Sequence, residues 1–468
     1  MLATLILKEI QNNLLNRRVA ICYILIFVLI LFSVITRGIQ YENSLKTYHR
    51  NIEEFNKGFD PSRIAEWDER WWEYEVHIKP SVLSIFCEGY HSSISRPYRV
   101  DLDTKYIPGQ INFRNPIFEV FKVYDLSLIM ALILSLLIIF VSYDALSGER
   151  EQKTMGLVMA NPISKSTFLL GKFLGGYCSI IIPFILSLIC SLALLGLVTG
   201  FSVSGGDVVR LVGMVAFFCL YAGVFFLLCI LGSTFFRSSS FALMVLLTAW
   251  VGLAFMVPFS AYAFSKQLVP VMSSRDFIDL DSKITREENS IAYRSTRVLD
   301  PKAPNRQILS TVIYSSAHFR AGRRVKKVID KRYRDSFSQK ETEKRLARIS
   351  PVASFLYGVS NLAGTGLYDF YRAHRWKHHL RDQTQWTQGG IWLDHHKYLA
   401  ETGLSTDEAY KLRFPKMDLK KLPSRHYQAP PVSQGFKHSL PDFLVLCIES
   451  IVLFMVCFMV FIKKGISE

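Results

Sequence analysis

The sequence lacks the short motifs that identify the common classes of catalytic and nucleotide-binding site. It contains no HExxH, GxSxG or paired-carboxylate pattern, so no hydrolytic site and no metal site of the zinc-protease type is predicted. It also contains no GxxxxGK followed by Ser or Thr, so the chain itself has no P-loop for ATP. We therefore expect a protein that is not an enzyme and that has no cofactor of its own.

Cysteine is scarce outside the apolar parts of the chain. Seven of the eight cysteines fall in long hydrophobic runs: Cys22, Cys178, Cys190, Cys219, Cys229, Cys447 and Cys457. Only Cys87 lies elsewhere, without an obvious intrachain partner. No disulfide framework is predicted, and the buried thiols are expected to behave as small hydrophobic groups.

Long hydrophobic runs are abundant and establish the class of protein. The 468 residues are 50% hydrophobic and include 34 Phe. Six nearly uncharged runs are roughly 17 to 25 residues long, the length a helix needs to cross about 30 Å of hydrocarbon. They are residues 19–36, 127–143, 173–197, 212–231, 241–263 and 443–462. The predicted fold class is an α-helical polytopic membrane protein with six transmembrane helices, since no alternating pattern of a membrane barrel is present.

The basic residues of the short connections predict the orientation. They cluster before the first run, between the second and third, between the fourth and fifth, and after the last: Lys8, Arg17, Arg18, Arg150, Lys153, Lys165, Lys172, Arg237, Lys463 and Lys464. Cytoplasmic loops of membrane proteins carry an excess of Lys and Arg. Both termini are therefore expected on the cytoplasmic side of the cytoplasmic (inner) membrane. The inserts 37–126 and 265–442 then lie outside and are expected to form a mixed α/β or α-rich domain.

Residues 1–18 carry the pattern of a short amphipathic helix. Leu2, Ile6, Ile10 and Leu14 form one apolar stripe, with Glu9 near its edge. Such a helix is expected to lie on the cytoplasmic surface of the bilayer. The alternative is a simple extension of the first membrane helix.

The formal net charge of +16 is concentrated in the second insert, around residues 323–327 and 331–348. A basic surface on the outer side could meet anionic lipid headgroups, an acidic glycan or an acidic extracytoplasmic partner, whereas nucleic acid is not expected there. The alternative is a solvated helix face, because Ile329, Tyr333 and Phe337 recur at roughly helical spacing.

Five histidines of the second insert are candidate metal ligands. His374 and His378 have i and i+4 spacing, and His379, His395 and His396 follow nearby. Such spacing can hold a transition metal. Since the neighbouring Arg375 and Lys377 would repel a cation, we expect surface histidines and no metal site.

Glu449 is an ionisable residue within the last apolar run. A carboxylate at that depth is costly, so a functional role facing protein or water is one interpretation. The other is that the side chain reaches the interface or pairs with a basic residue of the outer domain.

Residues 142–176 form a polar segment between the second and third runs and carry most of the functional information. The segment reads SYDALSGEREQKTMGLVMANPISKSTFLLGKFLGG. The charged pair Glu149 and Arg150 can contact a partner surface, and Gly156 and Pro162 can bound a short helix that moves as a unit. The alternative is an ordinary solvated loop.

The chain resembles the permease subunits of type-2 ATP-binding-cassette exporters. The resemblance lies in LysGlu at Lys8–Glu9, the hinge from Asp144 to Thr154, AsnPro at Asn161–Pro162, GlySerThrPhePheArg at 232–237, and the 250–258 stretch. LeuAlaGlyThr at 362–365, after SerPro at 350–351, resembles a subgroup with large outer inserts. The sequence has Lys153 and Thr154 where the family more commonly has GlyThr.

The resemblance implies the partners and the site. Two permease subunits, identical or different, would pair in a bacterial cell membrane, and each would dock a separate ATPase subunit that binds ATP and Mg²⁺. The residues of the hinge and coupling helix 144–172 that would contact the ATPase are Asp144, Ser147, Gly148, Glu149, Arg150, Gly156, Pro162 and Lys172.

Two functions follow from this resemblance. In the first, ATP hydrolysis by the partner drives export across the membrane. In the second, a mechanotransmitter, the same coupling moves the outer domain against an extracytoplasmic partner without moving cargo. A third possibility, an enzyme with its active site in the outer domain, is not supported by any recognisable set of catalytic residues.

Overall fold

A computed structural model describes residues 2–58, 74–100, 125–152, 164–199, 204–405 and 427–463, together with Met155 and Glu408. The helices at the start of the chain are α1 (Leu2–Leu15), α2 (Arg17–Gly58) and α3 (His91–Ile94). Helix α4 comprises Leu126–Leu128, a π-helical turn Ile129–Leu134 and Ser135–Ser142; α5 is Ser147–Glu151, α6 Lys165–Thr199 and α7 Gly205–Phe235. Helix α8 comprises Ser239–Val251, a π-helical turn Gly252–Met256 and Val257–Leu268; then follow α9 (Ser274–Arg297), α10 (Arg306–Ala347), α11 (Pro351–Ala363), α12 (Leu367–Glu401) and α13 (Val432–Lys463).

Six helices are long and apolar enough to cross a membrane, as the sequence predicts. They are α2, α4, α6, α7, α8 and α13, and their most apolar windows have mean hydropathies of 2.2 to 3.0. Several continue well beyond the apolar run that identified them. Helix α2 has 42 residues and is therefore about 63 Å long, roughly twice the hydrocarbon thickness.

Helix α7 lies at the centre of the core. Its Phe218, Tyr221 and Phe225 are almost fully buried, and Tyr221 stacks on Phe355 of α11 with ring centroids 4.4 Å apart. The Tyr221 hydroxyl donates a hydrogen bond of 2.6 Å to the carbonyl of Ala131, inside the π-helical turn of α4. Since π-helical turns disturb the regular hydrogen bonding of a helix, this contact supplies a partner where the α-helical pattern is interrupted.

Helix α11 is a short apolar helix that packs among the membrane-spanning helices. All of its thirteen residues except Leu356 are buried. At 1.5 Å per residue it is about 20 Å long, too short to span a bilayer. It belongs to the insert 265–442, so part of the segment assigned to the outer side contributes to the same core as the six spans.

Gly358 on α11 permits the closest approach to α7. A Cβ atom at this position would lie 2.2 Å from Cε1 of Phe217, closer than any real contact. We expect Gly358→Ala to destabilise the protein by about 1–3 kcal/mol, because a packed core has no room for an added methyl. Gly196→Ala is the control, since its Cβ would meet nothing within 4 Å. Equal unfolding temperatures of the two variants in detergent would contradict this packing.

The LeuAlaGlyThr motif connects the two inserts. Gly364 ends α11 with φ of 70°, a left-handed conformation that favours glycine. Thr365 follows; its hydroxyl donates to the carbonyl of Cys87 at 3.1 Å, and its carbonyl accepts from the amide of Tyr90 at 2.8 Å. Cys87 is itself buried, and burial raises the pKa of its thiol.

Outside the spans the described chain is mostly helical. Helices α9 and α10 pack side by side, and α12 packs on α10. A two-stranded antiparallel sheet pairs β1 (Tyr74–Val76) with β2 (Tyr98–Val100), with Glu75 opposite Arg99. The basic run 331–348 is helical, as the spacing of its apolar residues predicts, and Ile329 is buried.

Asp369 at the start of α12 predicts a pH dependence. Burial raises the pKa of its carboxyl from 3.8 to about 6, against the opposing influence of Arg372 and Arg210. The folded state therefore binds more protons than the unfolded state between about pH 4 and 6, and stability is lost as the pH rises through that window. We expect Asp369→Asn to stabilise the protein by about 1–3 kcal/mol at pH 7.5 and by much less at pH 4.5. Thermal unfolding at the two pH values checks this, and an equal gain at both would contradict it.

Candidate coupling site

The polar segment after α4 forms the short helix α5 at the end of the core that carries both chain ends. Phe168 of α6 stacks on Phe461 of α13 at this end, with ring centroids 6.0 Å apart. The amide of Gly148 donates a hydrogen bond of 2.8 Å to the carbonyl of Asp144, and this bond forms the first turn of α5. Lys153, Thr154, Gly156 and Pro162 lie outside the described residues.

Lys172 on α6 is the centre of an ion-pair cluster that joins three elements. Its Nζ lies 2.6 Å from Oε1 of Glu149 on α5 and 3.0 Å from Oε2 of Glu9 on α1. The Lys172 side chain is only 12% exposed, with Glu9 at 17% and Glu149 at 23%. Two carboxylates with one ammonium leave this cluster with a net negative charge. We call Glu9, Lys172 and Glu149 the three-residue junction.

Two glycines let α1 approach α6 closely enough to form this junction. A Cβ at Gly175 would lie 2.6 Å from Cβ of Glu9, and one at Gly171 would lie 3.0 Å from Cβ of Leu5. Farther along, the Asn13 side-chain amide donates to the Ser179 hydroxyl at 3.2 Å. The face of α1 turned to α6 is therefore the one that carries Glu9.

The apolar stripe predicted for α1 is unevenly exposed. Ile6 and Ile10 are half-buried, but Leu2 and Leu14 are exposed. The helix itself is confirmed. The exposed Leu2 and Leu14 are available for contact with lipid, and the location of α1 on the bilayer surface stays a prediction.

A second set of contacts holds α5 against the turn between α7 and α8. The Ser233 hydroxyl oxygen accepts hydrogen bonds of 2.8 Å from the amides of Leu146 and Ser147. The hydroxyls of Ser147 and Ser239 lie 2.9 Å apart, and Oε1 of Glu151 accepts from the amide of Ser239 at 2.8 Å. Helix α5 is therefore held by the ends of two further membrane-spanning helices.

Arg150 belongs to the same contact. Its Nη1 donates a hydrogen bond of 2.9 Å to the carbonyl of Thr234 in the last turn of α7. A charged donor satisfies one of the carbonyls that a helix C-terminus leaves without an intrahelical partner.

The predicted site residues thus divide by exposure. Ser147 is fully buried and positions α5, while Asp144, Gly148, Glu149 and Arg150 are half-buried. Glu151 and Gln152, which were not predicted, are the exposed residues at the end of α5. Contact of this group with an ATPase stays a prediction.

Sequence reasoning missed the residues that hold α5 from the other side. Ser233 and Ser239 have no charge and no periodic pattern that would single them out. Ser233 does lie within the GlySerThrPhePheArg motif, which is the one signal that could have pointed to it. The sequence indicates Glu9 only as part of the LysGlu pair and as a residue near the edge of the apolar stripe, with no sign of its partner Lys172.

Glu449 is half-buried in α13 and has no ion-pair or hydrogen-bond partner among the described residues. Its Oε2 is buried without a donor. The described residues show no ion pair between Glu449 and a basic residue of the insert 265–442. The functional interpretation of an intramembrane carboxyl stays a prediction.

At the opposite end of α13 a buried ion cluster joins this helix to α10. Oδ2 of Asp442 lies 2.9 Å from Nζ of Lys344, and Oδ1 lies 2.6 Å from Nε of Arg348. Asp442 is fully buried and Lys344 is 2% exposed, and burial lowers the pKa of the Lys344 ammonium. Helix α10 is thus attached to a membrane-spanning helix by charge.

A comparison with protein families agrees with this architecture. The family model described as "ABC-2 family transporter protein" matches residues 3–466, nearly the whole chain. A search of curated proteins found no match. The six spanning helices, with a polar segment folded onto the ends of three of them, are those of a multi-pass membrane permease. The chain belongs to the ABC-2 transporter family and is a permease subunit of an ABC transporter.

Proposed function

We propose that the chain is the permease subunit of an exporter in the cytoplasmic membrane and that a separate ATPase subunit docks on α5. The observation that carries this proposal is the three-residue junction of Glu9, Lys172 and Glu149. It connects α5, a short polar helix between two spans, to both α6 and α1. Family membership supports an ABC ATPase as the partner.

The contacts of α5 indicate which helices would move when the ATPase displaces α5. The junction attaches α5 to α1 and α6, and Ser233 and Ser239 attach it to α7 and α8. A displacement of α5 would carry these helix ends together, because each contact is buried or nearly so. ATP-driven closure of the partner subunits would then rotate the chain as a body against a second permease subunit and change access between the paired cores.

The exposed end of α5 is the expected docking point. Glu151 and Gln152 are exposed on the termini-bearing side, which we place in the cytoplasm. ATP and Mg²⁺ would be bound by the partner, whose closure supplies the work. The coupling residues predicted from the sequence would act here, with Glu149 and Arg150 beside the contact and Ser147 behind it.

A photo-cross-linking side chain at Gln152 tests this docking. In the complex purified with its candidate ATPase, we expect a cross-link between the two chains. The same side chain at Lys302, an exposed residue between α9 and α10, is the control and is expected to give none. Absence of the Gln152 product in an intact complex, or equal products from both positions, would overturn the proposal.

A mechanotransmitter is the second candidate, and the Asp442 cluster favours it. Movement of α13 would pass directly to α10 through Lys344 and Arg348. Such a protein would show ATP-dependent changes in the exposure of α10 without any cargo. Hydrogen exchange of α10 amides with and without a non-hydrolysable nucleotide would detect this, and unchanged exchange would exclude it.

A further inference from the structure

Three donor atoms from α10 and α12 converge on one point in the outer part of the protein. The Nε2 atoms of His374 and His378 lie 3.2 Å apart, one helical turn from each other on α12. The hydroxyl of Tyr333 on α10 contacts both Nε2 atoms. The three ring centroids are 4.6 to 5.0 Å apart, so the rings surround a common centre.

The spacing of the two imidazoles suits a tetrahedral metal ion. Two nitrogens that each bind Zn²⁺ at about 2.0–2.1 Å are about 3.3 Å apart when the angle at the metal is tetrahedral. The observed separation of 3.2 Å is close to this value. Two histidines at i and i+4 on one rigid helix need little rearrangement to bind together.

The two cations that are neighbours of the histidines in the sequence are not in contact with the imidazoles. Arg375 is exposed on another face of α12. The ammonium of Lys377 is directed to the carbonyls of Ile94 and Arg96, at 2.8 and 2.9 Å. The repulsion expected from the sequence is therefore reduced for Lys377, whose ammonium is hydrogen-bonded to main-chain carbonyls.

Two further cations lie near His378, and a carboxylate binds both. Nη2 of Arg381 lies 3.0 Å from Oδ1 of Asp382, and Lys326 pairs with Oδ2 of the same residue. Asp382 therefore offsets part of the positive charge that Arg381 and Lys326 place near His378.

The prediction of surface histidines was wrong for most of the group. His379 is exposed, but His395 and His396 are buried, and His374 and His378 are half-buried against α10. The described residues contain no cluster of three His, Cys, Asp or Glu side chains that could hold a metal. Here the third donor is a phenol, which such a cluster does not include.

We propose that His374, His378 and Tyr333 bind one late transition-metal ion, Cu²⁺ or Zn²⁺, on the outer side of the protein. Imidazole nitrogens suit both ions, and the ion would take the place of the contacts among the three donors. The Tyr333 hydroxyl releases its proton to solvent on binding and supplies a phenolate. The ion joins α10 to α12, and this site does not depend on the proposed export function.

Binding of Cu²⁺ alone to the purified full chain tests the site. Titration calorimetry and electron paramagnetic resonance are expected to show one ion per chain with nitrogen ligation. His378→Gln should weaken binding by about tenfold or more, because it removes one of three ligands. Tyr333→Phe should abolish the visible phenolate-to-copper charge-transfer band.

His379→Gln is the matched control, since this neighbouring histidine is exposed on the same helix. It should leave both affinity and spectrum unchanged. The proposal is overturned if the wild-type chain binds no Cu²⁺, if His379→Gln weakens binding as much as His378→Gln, or if the charge-transfer band persists in Tyr333→Phe. Unfolding temperatures measured without metal identify variants that fail to fold. If a variant does not fold, the wild-type chain alone tests the proposal, because it must show nitrogen ligation and the phenolate-to-copper band.

Discussion

Lys172→Met is expected to destabilise the termini-bearing end of the protein by about 2–3 kcal/mol. The substitution leaves Glu9 and Glu149 facing each other in a site that is mostly shielded from water, without the ammonium that lies within 3.0 Å of both. Methionine keeps most of the side-chain volume, so the loss reports charge and hydrogen bonding. Thermal unfolding in detergent measures the shift in stability.

A charge exchange separates positioning from direct contact with the ATPase. In Lys172→Glu combined with Glu149→Lys, an ion pair is restored between α5 and α6 and the total charge is unchanged. We expect only partial recovery of the lost stability, because the new carboxylate at position 172 lies beside that of Glu9. Recovery of ATP turnover as well would show that the junction only positions α5, whereas stability without turnover would show that Glu149 contacts the partner directly. No loss of stability in Lys172→Met would contradict the role given to the junction.

Asp442→Asn is expected to destabilise the protein by about 3–5 kcal/mol. Asp442 is fully buried and is bound by both Lys344 and Arg348. The amide cannot neutralise either cation, so at least one uncompensated charge would stay in a buried position. Faster hydrogen exchange in α10 should accompany the fall in unfolding temperature, because this cluster attaches α10 to α13.

Glu341→Gln on the same helix is the control for this prediction. Glu341 pairs with Arg345 at 2.7 Å, but the arginine side chain is 67% exposed. Exposed pairs contribute about 0–1 kcal/mol, so this variant should behave almost like the wild type. The triple change Asp442→Leu, Lys344→Met and Arg348→Met should recover much of the stability, since it removes both cations with their counterion. Equal effects of Asp442→Asn and Glu341→Gln would contradict the buried cluster.

The number and nature of the membrane spans could be predicted from the sequence because apolar length alone decides them. Helix α11 shows where that reasoning ends. Its thirteen residues are mostly apolar and almost entirely buried, but they are too few to span a bilayer. Only tertiary packing against α7 and α13 identifies them as part of the core.

The site was predicted in outline, and its construction was not. The charge of Glu149 and Lys172 marked both residues, but the pairing of Lys172 with Glu9 joins positions 163 residues apart. The supporting serines Ser233 and Ser239 carry no pattern at all. Contacts between distant segments decide which face of α1 is covered, and helical periodicity cannot provide that information.

The most direct test of coupling is ATP turnover by the chain purified with its candidate ATPase, before and after Glu149→Arg. The substituted arginine would face Lys172 and reverse the charge at α5, so we predict loss of both co-purification and turnover. Glu287→Arg on α9 is the control and should leave both co-purification and turnover unchanged. The Glu287 side chain is 43% exposed, and α9 is distant from α5 in the sequence. Unchanged assembly and turnover in Glu149→Arg would contradict the account and return α5 to an ordinary connection between two helices.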